Sequence, residues 1–491
     1  MVILVKVIQF FLALSILIFV HELGHFLAAK AFKTRVEKFY LFFDWGFSLF
    51  RCKKVDGQWR FKFFSRNVPE KYTATEYRDA AGKKQTKYTP IDVNTLADDD
   101  WRRSDSTEYG IGWFPLGGYN KIAGMVDESM DKSAMQQPPQ PWEFRSKPAW
   151  QRFIIMIGGV TMNVLLAFVI YIGLLAKEGE QYLPTAEVNK YGIAVDSLAY
   201  EFGLRDGDKI MAVDGLFVER FTDIPMQIIL EKAKTITVER DGKDTIIVLP
   251  EEALPKLLAT QNPNFISFRV PFKVAEMTDN SIAKAAGLEA GDQIVGINDV
   301  ETFYYQDFTK KIKQFRNQDI ELKVVRGTDT IGLPMHLGDD GVIGAYLVPI
   351  TDYFEFETRE YTFWQAIPAG FSKTFDELGD YWKQVKLIFS PKTKAYESVG
   401  GFISIGKIFP DTWIWSIFWR MTAFLSIALA VMNILPIPAL DGGHILFLLI
   451  EIVTRRKPSD RFMEVAETVG LVIVLGLVIL ANGNDIIRLF R

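Results

Sequence analysis

Cysteine is nearly absent from this chain: there is one, Cys52, in 491 residues. No internal disulfide framework can form, nor a metal site built on several thiolates. Histidine is scarce as well, with four residues. His336 lies in polar sequence, whereas His21, His25 and His444 lie in apolar sequence. An excess of either charge is also missing, since 56 Lys and Arg stand against 60 Asp and Glu for a net charge of −4. That balance offers no footing for nucleic acid. A mean hydropathy of +0.09 is too low for a chain wholly inside a bilayer. A hydrophobic content of 49% is nevertheless high for a soluble enzyme. A few membrane spans joined to soluble modules satisfy both numbers.

Four apolar runs are long enough to cross a bilayer: residues 2–29, 153–176, 413–435 and 462–481. The first has a basic residue near its start, Lys6, as a signal peptide would. No small-x-small cleavage site follows it, so it is read as a retained span. Trp413, Trp415 and Trp419 mark an interfacial belt at the start of the third. The short loop between the third and fourth carries Arg455, Arg456, Lys457 and Arg461 and is expected to be cytosolic. Both termini, and the long segment after the second span, then lie on the outer side.

The first run ends in His21-Glu22-Leu23-Gly24-His25. Two His four residues apart share one side of a helix and can bind one metal ion, with Glu22 placed to take a proton from bound water. Ionisable groups inside a span are costly and default to a functional reading. His21 lies nine residues before Lys30, roughly 14 Å of helix rise, which puts the motif near mid-membrane on the cytosolic side. The third span ends in Asn433-Ile434-Leu435-Pro436-Ile437-Pro438-Ala439-Leu440-Asp441-Gly442-Gly443-His444. Its prolines break the helix, and broken backbone in lipid is tolerated only where it lines a protein cavity. Asp441 is thus a third candidate ligand at compatible depth, because catalytic zinc takes three protein ligands and a water. His444 is a weaker candidate that could orient a ligand by hydrogen bond.

Between the first two spans, residues 36–50, 59–64 and 108–121 read as strands of a small sheet dipping into the membrane. Residues 69–106 read as a solvated, partly flexible insertion, and 136–141 as a Pro/Gln linker. The outer segment contains a repeat. Ser197 to Ile210, with Gly203-Leu204 and Gly207-Asp208, recurs as Ser281 to Ile294, with Gly287-Leu288 and Gly291-Asp292. Each copy predicts a short helix, a glycine cap, a Gly-Asp turn and an apolar strand. The pattern resembles PDZ domains, expected at about residues 182–265 and 266–350. Residues 364–389 predict an amphipathic helix on the membrane surface or on that pair, and 398–405 return the chain to the membrane.

Together, His-Glu-Leu-Gly-His, Pro115-Leu116-Gly117-Gly118-Tyr119, the Gly159-x-x-x-Asn163 of span two, the tandem repeat, Asn433 to His444 and the closing Asn484-Asp485 resemble the site-2 protease family of intramembrane zinc metalloproteases, regulator-of-sigma-E type. The resemblance implies a polytopic α-helical membrane protein with four transmembrane helices, a small membrane-associated β-sheet and two α+β PDZ domains. It implies Zn2+ held by His21, His25 and Asp441, Glu22 as general base, and Asn433 and Asn163 as substrate-binding residues. Expected substrates are single-span membrane proteins, anti-sigma factor-like or remnant signal peptides. An upstream site-1 protease is implied as a partner, and the PDZ pair excludes bulky substrates. The expected setting is the bacterial inner membrane, with the PDZ domains and both termini periplasmic. Span two departs from the family pattern at Gly158-Gly159-Val160, where Pro usually follows Gly, and the re-entry segment departs at Gly400-Gly401-Phe402, where Pro is usual before Ile. Two alternatives stay open: a non-catalytic scaffold binding protein ends through its PDZ modules, and a protease cutting soluble peptides at the membrane surface.

Overall fold

The computed structural model describes residues 2–67, 72–78, 84–92, 95–97, 100–115, 117–125, 138–260, 264–278, 280–388 and 399–489. Part of the Pro/Gln linker, residues 136–137, lies outside them. The chain forms two compact units: residues 1–178, 361–382 and 399–491, and residues 179–360 and 383–398.

In the first unit the apolar runs become helices α1 (Val2–Ala31), α2 (Ala149–Glu178), α5 (Trp415–Ile434) and α7 (Asp460–Leu489). Among the described residues four helices, one from each run, are long and apolar enough to span a bilayer. Beyond the third run the chain does not stay helical. Leu435 leaves α5 with φ −57° and ψ 141°, Ala439 adopts a left-handed φ of +80°, and α6 (Asp441–Thr454) starts anew. Pro436 and Pro438 cannot supply the donors a continuous helix needs. Glycines let these helices approach closely. A methyl group on Gly24 of α1 would meet the Gly158 carbonyl oxygen of α2 at 2.2 Å, and one on Gly442 would meet the Leu435 oxygen at 2.1 Å. In the first turn of α2, Arg152 donates to Glu451 of α6 at 2.5 Å.

Strands β1 (Val36–Leu41), β2 (Phe43–Val55), β3 (Gln58–Arg66), β6 (Glu108–Phe114) and β7 (Tyr119–Ile122) form one sheet in the order β3-β2-β6-β1-β7. Phe39 of β1 packs edge-on against Phe19 and Phe26 of α1, seating the sheet on that helix. Strands β4 (Tyr72–Arg78) and β5 (Lys84–Pro90) make a separate hairpin in the polar insertion. The insertion is not wholly solvated: Trp101 is 2% exposed, beneath the Lys62 ammonium of β3. A polar neighbourhood hid this anchor in the sequence.

Helix α3 (Phe363–Ile388) also touches α2. Bare Gly370 lies against Ile172 of α2, and Phe371 meets Phe168 of α2 with ring centroids 5.9 Å apart. Part of its apolar face is therefore covered by a spanning helix. A short helix, α4 (Phe402–Lys407), precedes α5. The Asp485 carboxylate of α7 caps it, accepting from the backbone N–H of Gly401 and of Ser404 at 3.0 Å each.

The second unit holds two hydrophobic cores, one around Val213, Ile224 and Ile236 and the other around Ile297, Leu322 and Val324. The repeat folds twice into the same local structure. Helices Ser197–Glu201 and Ile282–Ala285 are each followed by two left-handed glycines and a strand, Lys209–Val213 or Gln293–Ile297. The acid of each Gly-Asp turn is nearly fully buried and takes two hydrogen bonds from an arginine: Arg240 on Asp208 at 2.7 Å each, and Arg326 on Asp292 at 2.8 Å each. Each arginine also donates to the carbonyl of the first glycine, Gly203 or Gly287. Burial of a carboxylate is tolerable only with such pairing.

Candidate metal centre

His21 and His25 lie on one side of α1, and their rings stand 4.9 Å apart by centroid. Their Nε2 atoms are 3.2 Å from each other. Asp441 reaches them from the first turn of α6. Its Oδ2 lies 3.1 Å from His21 Nε2 and 3.3 Å from His25 Nε2. A tetrahedral ion with bonds of about 2.0–2.1 Å has ligand–ligand edges of about 3.3–3.4 Å, close to this triangle. Asp441 Oδ2 is buried and has no hydrogen-bond donor. A buried carboxylate oxygen left so is costly unless a cation meets it. The donor set, two imidazoles and a carboxylate, is one that suits zinc. A helix N-terminus further favours the negative charge of Asp441.

The outer nitrogens of both rings are tied down. His25 Nδ1 lies 2.9 Å from the Ile155 carbonyl of α2, which can only accept, so Nδ1 carries the proton and Nε2 the lone pair. His21 Nδ1 meets the side-chain amide of Asn163, also on α2, at 3.0 Å. With Nε2 directed into the triangle, Nδ1–H must face an acceptor. A 180° turn of the amide puts its oxygen there, and Asn163 Oδ1 is otherwise buried without a partner. The Asn163 backbone oxygen in turn accepts from Ser426 of α5 at 2.8 Å. Asn433, at the end of α5, brings its amide to 3.4 Å from His21 Nε2. His444 points instead toward Glu467 of α7, at 3.8 Å.

Thus α1, α2, α5 and α6 each deliver a residue singled out in the sequence, and all six converge. Other participants were not legible there. Asn120 of β7 donates to the Glu22 carboxylate at 2.8 Å and to the Glu22 backbone oxygen at 2.5 Å. Gly159 clears the room for both rings: a methyl group there would lie 2.4 Å from His25 Nε2 and 2.7 Å from His21 Nε2. The paired glycines of α2 were visible in the sequence, but the role of each depends on which helix it meets.

Chemically, the triangle can hold one cation, with the Glu22 carboxylate next in sequence to His21. The model of peptidase family M50 matches residues 9–66 and 100–477. Among relatives, Protease RseP of Yersinia pestis is 27% identical over 515 aligned residues, covering 98% of each chain. Regulator of sigma-E protease RseP of Escherichia coli K12 is 25% identical over 511 residues, again 98% of each. A Rickettsia conorii protein named as a zinc metalloprotease is 24% identical over 493 residues and 99% of each. The family match runs through both halves of the site and most of the sequence, so the chain belongs to peptidase family M50 and is a metallopeptidase.

Proposed function

We propose that this chain is an intramembrane zinc protease acting in regulated intramembrane proteolysis, cutting single-span membrane proteins within the bilayer. The observation that carries the reading is the convergence of His21, His25 and Asp441 on helices apolar enough to span, with Glu22 next in sequence. Zinc, when bound, supplies a Lewis acid that makes water nucleophilic near neutral pH and polarises a peptide carbonyl. His21, His25 and Asp441 hold it. Glu22 takes the proton of the attacking water and passes it to the leaving amine.

A substrate helix hides its carbonyls in its own hydrogen bonds, so it must open locally before it can be cut. Strand β7 is an edge of the sheet and adjoins Glu22 through Asn120. An opened segment can pair with that edge as an added strand. Asn433 holds the opened backbone near the ligands, and Asn163 acts through His21. By likeness to the RseP relatives, the substrates are anti-sigma factor-like proteins already trimmed outside by an upstream protease, together with remnant signal peptides. The setting is the bacterial inner membrane, with the 455–461 loop cytosolic and both termini periplasmic. The duplicated outer modules are PDZ domains that turn away substrates with bulky outer parts.

The test is Glu22→Gln in the purified full-length chain, assayed on a single-span substrate with zinc content measured alongside. Retained zinc with lost cleavage supports the reading; unchanged cleavage removes Glu22 from its role. A cysteine-labelling map that put the outer modules in the cytosol would overturn the orientation.

A further inference from the structure

We infer that Asn120 is a positioning residue for Glu22, a role that rests on Glu22 being the base. Asn120 of β7 pairs directly with Phe39 of β1 in an antiparallel ladder, so their side chains share a face of the sheet. Phe39 packs against α1, through Phe19 and Phe26 on either side of the histidine motif. Asn120 therefore points at the same helix. Its neighbours Tyr119 and Tyr40 occupy the opposite face, where their rings stack 5.3 Å apart.

The amide meets two groups of one residue. Nδ2 lies 2.8 Å from Glu22 Oε2 and 2.5 Å from the Glu22 backbone oxygen. Both are acceptors, so the orientation of this amide is settled. Turning it over would set Oδ1 against a carboxylate and a carbonyl, with no proton between them. The whole donor capacity of the Asn120 side chain is thereby spent on Glu22. The backbone contact fixes the amide to the helix, and the side-chain contact then fixes the carboxylate relative to His21 and His25. Oε2 is committed, and among the described residues no protein group donates to Oε1. That leaves Oε1 as the oxygen to take the proton. A base swinging freely about its side-chain torsions would spend much of its time out of reach of a water at the metal triangle.

The experiment uses full-length protein in detergent micelles and a quenched-fluorescent model transmembrane peptide, with zinc content, melting temperature, kcat and KM measured. Asn120→Asp keeps the size and shape of the side chain but replaces the donor with an oxygen that repels Glu22. Asn120→Leu removes the donor without adding charge. We expect kcat to fall roughly 10–100-fold, the range for loss of an orienting partner. The Asp variant should be the worse, while KM, zinc stoichiometry and melting temperature stay at wild-type values. If the Asp variant does not accumulate, Asn120→Leu and Asn120→Ala carry the same comparison. Wild-type kcat in these variants overturns the inference. So does a rise in KM with kcat kept, which would make Asn120 a substrate contact. A fall in zinc content and melting temperature parallel to activity overturns it too, as a structural role. Glu22→Gln separates the two levels. If it keeps wild-type kcat, the base assignment itself fails; if it is inactive while Asn120→Asp is fully active, only the positioning role fails.

Discussion

Replacing Gly159 by alanine should abolish metal binding without touching a ligand. The added methyl group would lie 2.4 Å from His25 Nε2 and 2.7 Å from His21 Nε2. Bringing the nearer contact to the 3.4 Å of ordinary packing needs a shift of about 1.0 Å. The rings cannot easily give way, since His25 is held by Ile155 and His21 by Asn163 through their outer nitrogens. Nor can α2 retreat freely, because moving it away would pull Ile155 and Asn163 off the ring nitrogens they hold. Metal–ligand distances tolerate about 0.2 Å. Zinc affinity should therefore fall by more than the roughly 10–100-fold that follows loss of an orienting partner alone. The assay is competition with a chelator of known affinity, read by metal content, with far-ultraviolet circular dichroism as a fold control. Gly173→Ala is the matched substitution on the same helix, where a methyl group would meet nothing within 4 Å, and it should bind zinc as wild type does. A Gly159→Ala protein with wild-type zinc affinity would refute the argument that helix approach creates the site.

Two further outcomes are expected. Chelation should remove cleavage and added zinc should restore it, with helix content unchanged throughout, because hydrogen bonds donated by the histidine rings to acceptors on α2 hold them in place; a helix signal that falls with the metal would contradict that preorganisation. In the second unit, hydrogen bonds from Arg326 hold the Asp292 carboxyl below the usual carboxylate range. The unfolded chain then binds that proton more readily. The stabilisation is complete above the ordinary aspartate value and is lost as pH falls through the lower folded value. Arg326→Ala should lower the melting temperature at neutral pH and flatten its decline in acid, and an unchanged acid profile would count against the pairing.

A helix converts spacing into direction by itself, so His21, Glu22 and His25 were legible as a constellation before any fold was known. Pro436 and Pro438 announced a broken helix, because a missing donor is a property of the residue and not of its surroundings. The apolar runs set the number of candidate spans, and the repeated Gly-Asp turn marked a duplication. All of these are local facts, carried by a few consecutive residues. Tertiary structure decided the rest. Asp441 meets the histidines only because α6 restarts beside α1. Gly159 matters only because α2 crosses there, and Asn120 faces Glu22 only because β7 lies in one register on β1. Trp101 is buried, and α3 meets α2 at Gly370 and Phe371, through contacts that neither stretch of sequence names. Such meetings depend on many weak packing terms summed over elements far apart in the chain, and no short stretch of sequence contains that sum.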